Sequence, residues 1–401
     1  MAKRSKRFSR PKRFPRKKPN PPRLKAGADA GLRKIFAEIG VPENLPFTPD
    51  TFQLDALSAL EHSDCLVSAP TGSGKTWIAE KAIARIHAGG GRSWYACPLK
   101  ALSNAKYAEF SAIFGRQQVG ILTGDRKENT DASIIVGTTE ILRNQLYDAM
   151  HRGELLAADF VVLDEAHFLG DPDRGVVWEE IMIYLPQRIP LLLLSATIGN
   201  ANEIAGWLSS IRSSRCTVIR EYKRPVPLVP LFLHPSGTLL PLTGPAKTAG
   251  KEKIYKKVAD FLKTKGSRYR RMPDYLLPFD EVLKVLKKYD LLPAIFFLKS
   301  RADCDRALEQ CRARLLPDPG RNAVLKERIE TSGHHSLHVM HHRQRWFLEN
   351  LALGSHHAGQ LPAWKLMLER LMSEGLLDAV FATSTVAAGV NFPARTVVFL
   401  N

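Results

Sequence analysis

The chain has 401 residues, of which 44% are apolar and 24% charged, and its 58 Lys/Arg outweigh 40 Asp/Glu to give a net charge of +18. That length and balance fit two or three globular domains, and collagen-like and membrane-spanning readings drop out because no apolar run approaches the ~18 residues a span needs. The opening residues lack the apolar core of a secretory signal, and the five cysteines form no CxxC pair, so a disulfide scaffold is not expected and a reducing cytoplasm is.

Residues 1–26 are dense in Lys, Arg and Pro and contain no acid. Like charges and prolines oppose a packed helix, so a disordered basic tail is expected. Its affinity would be for polyanions, with Phe8 and Phe14 free to stack on bases. A solubilising tail, or a nuclear localisation signal, would look the same.

From about residue 28, short apolar strands alternate with helical stretches, the pattern of a parallel sheet covered by helices. Strands are predicted at Cys65–Ser68, Trp94–Cys97, Gly120–Leu122, Ile134–Val136, Phe160–Leu163 and Leu191–Ser195. Between the first two, Lys75–Ala88 carries Ile78, Ala79, Ala82, Ile83 and Ile86 on one helical face, and Gly89–Gly91 stops it. A first domain over 27–220 follows. The prolines at 225, 227, 230, 235 and 241 suggest an extended connector over 221–285. A second α/β domain over 286–401 has strands at Pro293–Leu298, Ala379–Thr383 and Thr396–Leu400. Two or three strands do not complete a sheet, so this domain is expected to be incomplete and the chain part of a longer protein.

Three strand ends carry chemistry. Ala69-Pro70-Thr71-Gly72-Ser73-Gly74-Lys75-Thr76 lies between a strand and a helix, the context of a phosphate-binding loop. Gly72 and Gly74 allow backbone N–H groups to turn toward phosphate oxygens, and the helix N-terminus adds positive potential. Lys75 would hold the β/γ-phosphates and the Thr76 hydroxyl would ligate Mg²⁺. Ala69 stands where the general pattern has Gly. Asp164-Glu165-Ala166-His167 ends the strand Phe160–Leu163. A carboxylate there, beside such a loop, suits Mg²⁺ held through water. Glu165 would orient and deprotonate the attacking water, because a metal-bound carboxylate such as Asp164 is a poor base. Ser195-Ala196-Thr197 ends the strand Leu191–Leu194, where its hydroxyls would sense hydrolysis through the acidic pair.

The order of these motifs resembles that of superfamily 2 helicases. Phe52-Gln53 is similar to an adenine-reading Q-motif, and Pro98–Asn104 to motif Ia. Thr123-Gly124-Asp125 and Thr138–Arg143 resemble motifs Ic and Ib. Asp173–Glu180, Arg224–Leu228, His356–Gly359 and Phe381–Arg395 resemble the superkiller (Ski-like) DExH branch, the exosome-associated RNA helicases. The resemblance implies two RecA-like parallel-sheet domains in tandem, ATP and Mg²⁺ at their interface, and 3′ to 5′ movement along single-stranded or 3′-tailed nucleic acid. It implies that Gln53, Pro70–Thr76, Gly389 and Asn391 bind the nucleotide. Lys100, Ser103, Thr123, Thr139, Arg143 and Thr383 would grip the sugar–phosphate backbone. Ser195, Thr197 and His167 would couple hydrolysis to movement.

DEAH stands where this branch usually has DEVH or DEIH, and Ser384 where relatives often have Glu. No QxxGRxGR run, the source of the arginine finger, is present. Weak hydrolysis by residues 1–401 is therefore expected, since such an arginine contributes roughly 10³–10⁵ in related nucleotide hydrolases. The residues after Thr138-Thr139-Glu140 look like the RNA group, so RNA is the expected substrate and an RNA-degradation complex the expected setting. The alternatives are a DNA-repair helicase or an ATP-gated RNA clamp. Seven of the 12 histidines fall in 334–357. Their spacings of three and four would allow zinc on a helix, but a solvated stretch near RNA is the simpler reading.

Overall fold

A computed structural model describes residues 25–38, 47–244, 253–265, 279–312, 318–334, 336–383 and 393–400. The described parts of Val41–Val229, with Thr383, form one unit, and those of Met1–Gly40, Pro230–Ala382 and Pro393–Asn401 form another.

The chain begins in the second of these units with a short strand, β1 (Gly27–Ala28), and then builds the first. There β2 (Asp64–Ser68), β3 (Ser93–Cys97), β4 (Val119–Leu122), β5 (Lys127–Glu128), β6 (Ile134–Thr138), β7 (Phe160–Leu163), β8 (Leu191–Ser195) and β9 (Cys216–Arg220) make one sheet. Its order is β5-β4-β6-β3-β7-β8-β2-β9. Every pairing is parallel except β4 with β5. Alternate residues of each strand face opposite layers. Leu66, Trp94, Val161 and Leu193 enter one apolar core, and Val67, Tyr95, Val162 and Leu194 the other. Burial on both faces is why these strands read as unbroken apolar runs. The helix Lys75–Ala88 buries Ile78, Ala79, Ala82 and Ile83, as its periodicity requires.

At the N-terminal edge of this sheet Asp64 and Arg212 form a buried ion pair, Nε to Oδ2 2.7 Å. The remaining guanidinium nitrogens donate to the carbonyls of Leu185 and Ile189, and Asp64 Oδ1 accepts from the N–H of Leu191.

In the second unit β10 (Leu231–Leu233) and β11 (Thr238–Pro241) pair antiparallel, and β1 joins β11 in parallel. A four-stranded parallel sheet follows: β12 (Ala294–Phe297), β13 (Leu353–His356), β14 (Ala379–Ala382) and β15 (Thr396–Phe399), in the order β13-β14-β12-β15. Phe279, Phe296 and Phe381 meet in its core with ring centroids 5.1–5.8 Å apart. The boundaries differ from the sequence expectation in two places. Residues 27–38 pack with the second unit rather than opening the first, because Ala28 and Leu32 are buried in its core. The expected extended connector contains β10 and β11 and the helix Lys256–Lys265. Among the described residues, no helix is long and apolar enough to cross a membrane.

Candidate nucleotide-binding site

All strands of the first unit except β5 run the same way, so their C-terminal ends share one edge. The end of β2 leads into the loop 69–76, that of β8 into Ser195–Thr197 and that of β7 into Asp164–Glu165. In the sheet β8 lies between β2 and β7, so the three segments stand side by side. This is also where chain order reverses: from β2 the chain passes over β8 and β7 to reach β3. Ligands of open α/β sheets bind in such crevices.

The loop is shaped by two left-handed glycines, Gly72 (φ 85°) and Gly74 (φ 79°). At Gly74 the left-handed conformation favours glycine, and an added Cβ would lie 2.5 Å from Gln53 Nε2 and displace that amide. Lys75 Nζ donates to the carbonyls of Ala69 (2.8 Å) and Pro70 (3.0 Å), spanning the hollow of the loop. Burial lowers its pKa, and the charges of Glu165 and Asp164 partly restore it. The Ser73 hydroxyl is buried without a hydrogen-bond partner. A rim of turned backbone, a lysine with only carbonyls to bind and an unsatisfied hydroxyl fit a phosphate chain.

Asp164 is held by Tyr95, whose hydroxyl donates to Oδ2 at 2.6 Å, and by the N–H of Glu165 on Oδ1 at 2.9 Å. Burial and the neighbouring Glu165 charge still push its pKa up. Glu165 moves the other way: His167 Nδ1, 3.2 Å from Oε2, is the main cause of its lowered pKa. Glu165 is also one of the few non-glycine residues at positive φ (56°), a conformation maintained only where the surroundings impose it. The two carboxylates thus differ in environment, one primed for a cation and one kept ionised. A divalent ion on Asp164 and Thr76 would remove the penalty that Asp164 carries. Ser195 Oγ is buried with no partner, Thr197 and His167 are exposed, and the carbonyl of Ser195 accepts from the N–H of Ala69, joining the third segment to the loop.

Several of the expected site residues are engaged within the protein. Gln53 is buried, with Nε2 donating to the carbonyls of Ser73 (3.3 Å) and Gly74 (3.0 Å) and Oε1 accepting from the N–H of Asp50. Both ends of its amide are occupied, so it braces the loop. Ser103, Thr123 and Thr139 are buried. The hydroxyl of Ser103 donates to the carbonyl of Gly137, and that of Thr123 to Asp125. Ser103 lies in the first turn of the helix Lys100–Phe114 and Thr139 opens the helix Thr139–Arg152, where a small hydroxyl can serve the backbone as readily as a ligand. Lys100 and Arg143 remain accessible, beside Asp125 (3.2 Å) and Glu180 (3.4 Å). Thr383 follows β14 and is buried. Gly389 and Asn391 lie outside the described residues.

Sequence reasoning missed Tyr95 and Lys106. Tyr95 is the one hydroxyl-tipped aromatic inside an apolar strand. Lys106 lies three residues after Ser103, on the side of the helix Lys100–Phe114 that also buries Tyr107 and Phe110. Three of the clustered histidines have separate partners. His356 Nε2 meets Glu369 (2.8 Å), His357 Nε2 meets Asp305 (3.1 Å) and His342 stacks on Trp364. Among the described residues, no group of three His, Cys, Asp or Glu is placed to hold a metal. His335 lies outside them.

Residues 50–204 match the DEAD/DEAH box helicase family. The chain carries a DEAD/DEAH box helicase domain. That domain covers the loop, the acidic pair and the Ser195–Thr197 segment. Outside it the likeness continues. The chain is 40% identical over 377 residues to a probable helicase, HelY, of Mycobacterium tuberculosis, covering 88% of this chain and 41% of that protein. It is 38% identical over 395 residues to the chloroplastic DExH-box ATP-dependent RNA helicase DExH15 of Arabidopsis thaliana, covering 88% of this chain and 33% of that one. It is 36% identical over 377 residues to human Superkiller complex protein 2, covering 88% and 30%. The chain therefore spans about two-fifths or less of the length of these curated relatives.

Proposed function

We propose that this protein binds Mg-ATP at the loop 70–76 and uses its hydrolysis to move 3′ to 5′ along RNA and unwind it. The observation that carries the reading is the convergence of the loop, Asp164–Glu165 and Ser195–Thr197 at one sheet edge. Backbone N–H groups of Gly72–Thr76 and the Lys75 ammonium would take the phosphates. Thr76 and Asp164 would hold Mg²⁺, which neutralises charge on the phosphate oxygens. Glu165, ionised, would align a water for attack and accept its proton. Ser195, with a free hydroxyl, would register loss of the γ-phosphate. Lys100 and Arg143, both accessible, would grip phosphates of the strand without reading bases, as a motor must. Gly389, Asn391 and Thr383 stay in the proposal on the resemblance of Phe381–Arg395 to motif V.

RNA is preferred to DNA on the resemblance of Thr138–Tyr147 and Leu231–Gly237 to the RNA group. An RNA-degradation complex is the proposed setting, supported by the superkiller resemblance. The five cysteines are all buried and unpaired, which suits the cytoplasm.

The test is RNA-stimulated ATP hydrolysis together with displacement of 3′-tailed RNA and DNA duplexes. Lys75→Ala should abolish nucleotide binding. Glu165→Gln should keep binding and lose turnover by roughly 10²–10⁴. Normal hydrolysis by Glu165→Gln would remove it as the base. Preference for DNA would favour a repair helicase, and ATP-dependent RNA binding without displacement a clamp.

A further inference from the structure

Lys106 has no part in the motifs, yet it sits at the metal side of the site. Its ammonium donates to Thr76 Oγ1 at 2.9 Å and to Glu109 Oε2 at 2.8 Å. Its side chain is only 16% exposed, unusual for a lysine on a helix surface. Four carboxylates lie around it: Glu109 bonded to it, Glu80 beside Glu109, and Asp164 and Glu165, both of which feel its charge. A half-buried ammonium is retained where anions need it. Here the anions are those that Mg²⁺ would neutralise, and the hydroxyl it holds is the one Mg²⁺ would take.

We propose that Lys106 is the resident counter-ion of the magnesium site, occupying Thr76 while the loop is empty and displaced from it when Mg²⁺ arrives with the nucleotide. The proposal rests on the Mg-ATP reading above. A divalent ion on Thr76 Oγ1 would stand a few ångströms from an ammonium hydrogen-bonded to the same oxygen, and two cations at that distance repel strongly in a half-buried site. The ammonium has a second anchor ready in Glu109, so it can leave Thr76 without losing every partner. Lys106 thereby sets how much Mg²⁺ the site needs, and keeps the empty acidic pocket from repelling itself.

The experiment titrates Mg²⁺ at fixed fluorescent ATP analogue, with binding as the readout, and measures melting of the nucleotide-free protein with and without Mg²⁺. In Lys106→Met the Mg²⁺ midpoint should fall by roughly tenfold, the scale of a close charge removed from a partly screened site. The nucleotide-free variant should melt below wild type, and Mg²⁺ should narrow that gap. Lys106→Gln, which keeps a donor for Thr76 and Glu109 and is the safer fold, should lower the midpoint in the same way. Lys106→Arg should leave it near wild type. Lys81→Met removes a charge from the neighbouring helix Lys75–Ala88 and should move it less than about twofold. An unchanged or raised midpoint in both Met and Gln variants at position 106, or an equal fall in Lys81→Met, overturns the proposal. Failure of wild type to bind the analogue at any Mg²⁺ concentration would instead refute the nucleotide site itself.

Discussion

At the scale of single residues, the loop's geometry depends on a side chain outside it. Gln53 connects the start of its own helix, through the N–H of Asp50, to the carbonyls of Ser73 and Gly74. Its replacement by Ala leaves the buried Ser73 carbonyl to find a new partner and frees the N–H of Asp50, while the Gly74 carbonyl keeps the N–H of Trp77. Gln53→Ala should cost about 1–3 kcal/mol in denaturant melts and weaken nucleotide binding severalfold. Preference for adenine over guanine nucleotides should stay as in wild type, since the amide braces backbone. Loss of that preference in a nucleotide competition assay would restore the base-reading role. The loop itself was legible from the sequence because glycine spacing, a preceding strand and a following amphipathic helix are local properties. Tyr95 and Lys106 were not legible: each acts on residues distant in sequence, Tyr95 on Asp164 and Lys106 on Thr76, and nothing in spacing shows such a pairing. The hydroxyls of Ser103, Thr123 and Thr139 are ambiguous in the sequence for a related reason. A small polar residue in the turn or first helical turn after a strand serves the backbone or a ligand equally well.

At the scale of elements, the eight-stranded sheet has its chemistry at one edge and its anchor at the other. Asp64 opens β2, and Arg212 closes the helix Ala201–Arg212 that precedes β9. Together they secure the N-terminal ends of β2 and β8 through Leu191. Removing one partner strands a buried charge, so Arg212→Met should destabilise by about 3–5 kcal/mol, read from the midpoint of urea unfolding. Asp64→Asn should cost a similar amount, because Arg212 keeps its buried charge and a single amide oxygen cannot serve both its Nε–H and the N–H of Leu191. An effect below about 1 kcal/mol for Arg212→Met would mean that water reaches the pair. The six strands predicted for this unit are all present, since parallel strands covered on both faces announce themselves as apolar runs. The strands that escaped lack that signature. Lys127–Glu128 is an exposed two-residue edge, paired antiparallel. Cys216–Arg220 is a half-covered edge that mixes Thr and Arg with apolar residues. Leu353–His356 is fully buried but spells Leu-Gly-Ser-His. Its polar residues are satisfied by tertiary partners, Ser355 by Gln344 and Asp305 and His356 by Glu369.

At the scale of the molecule, charge is concentrated at the N-terminus: 12 of the 58 Lys/Arg lie in residues 1–25, with no acid among them. Counterion release makes such a segment a salt-sensitive binder of any nucleic acid. Deleting residues 1–26 should weaken RNA binding at low salt and flatten the slope of log affinity against log salt. For every phosphate that the tail no longer neutralises, that slope should shrink by about 0.7 on single strands. An unchanged slope in a filter-binding or anisotropy series would return the tail to solubility. The order of the units along the chain has a separate consequence. The segment carrying β1 and Leu32 completes a body whose remaining residues begin only after Val229. Apart from Thr383, the described part of the unit that carries the loop 69–76 is thus an insertion in chain order, covalently tethered at both ends. No single scission separates the pair cleanly: a fragment begun at Pro230 forfeits an edge strand and the leucine beneath it, and a ribosome must finish the insert before its host can close.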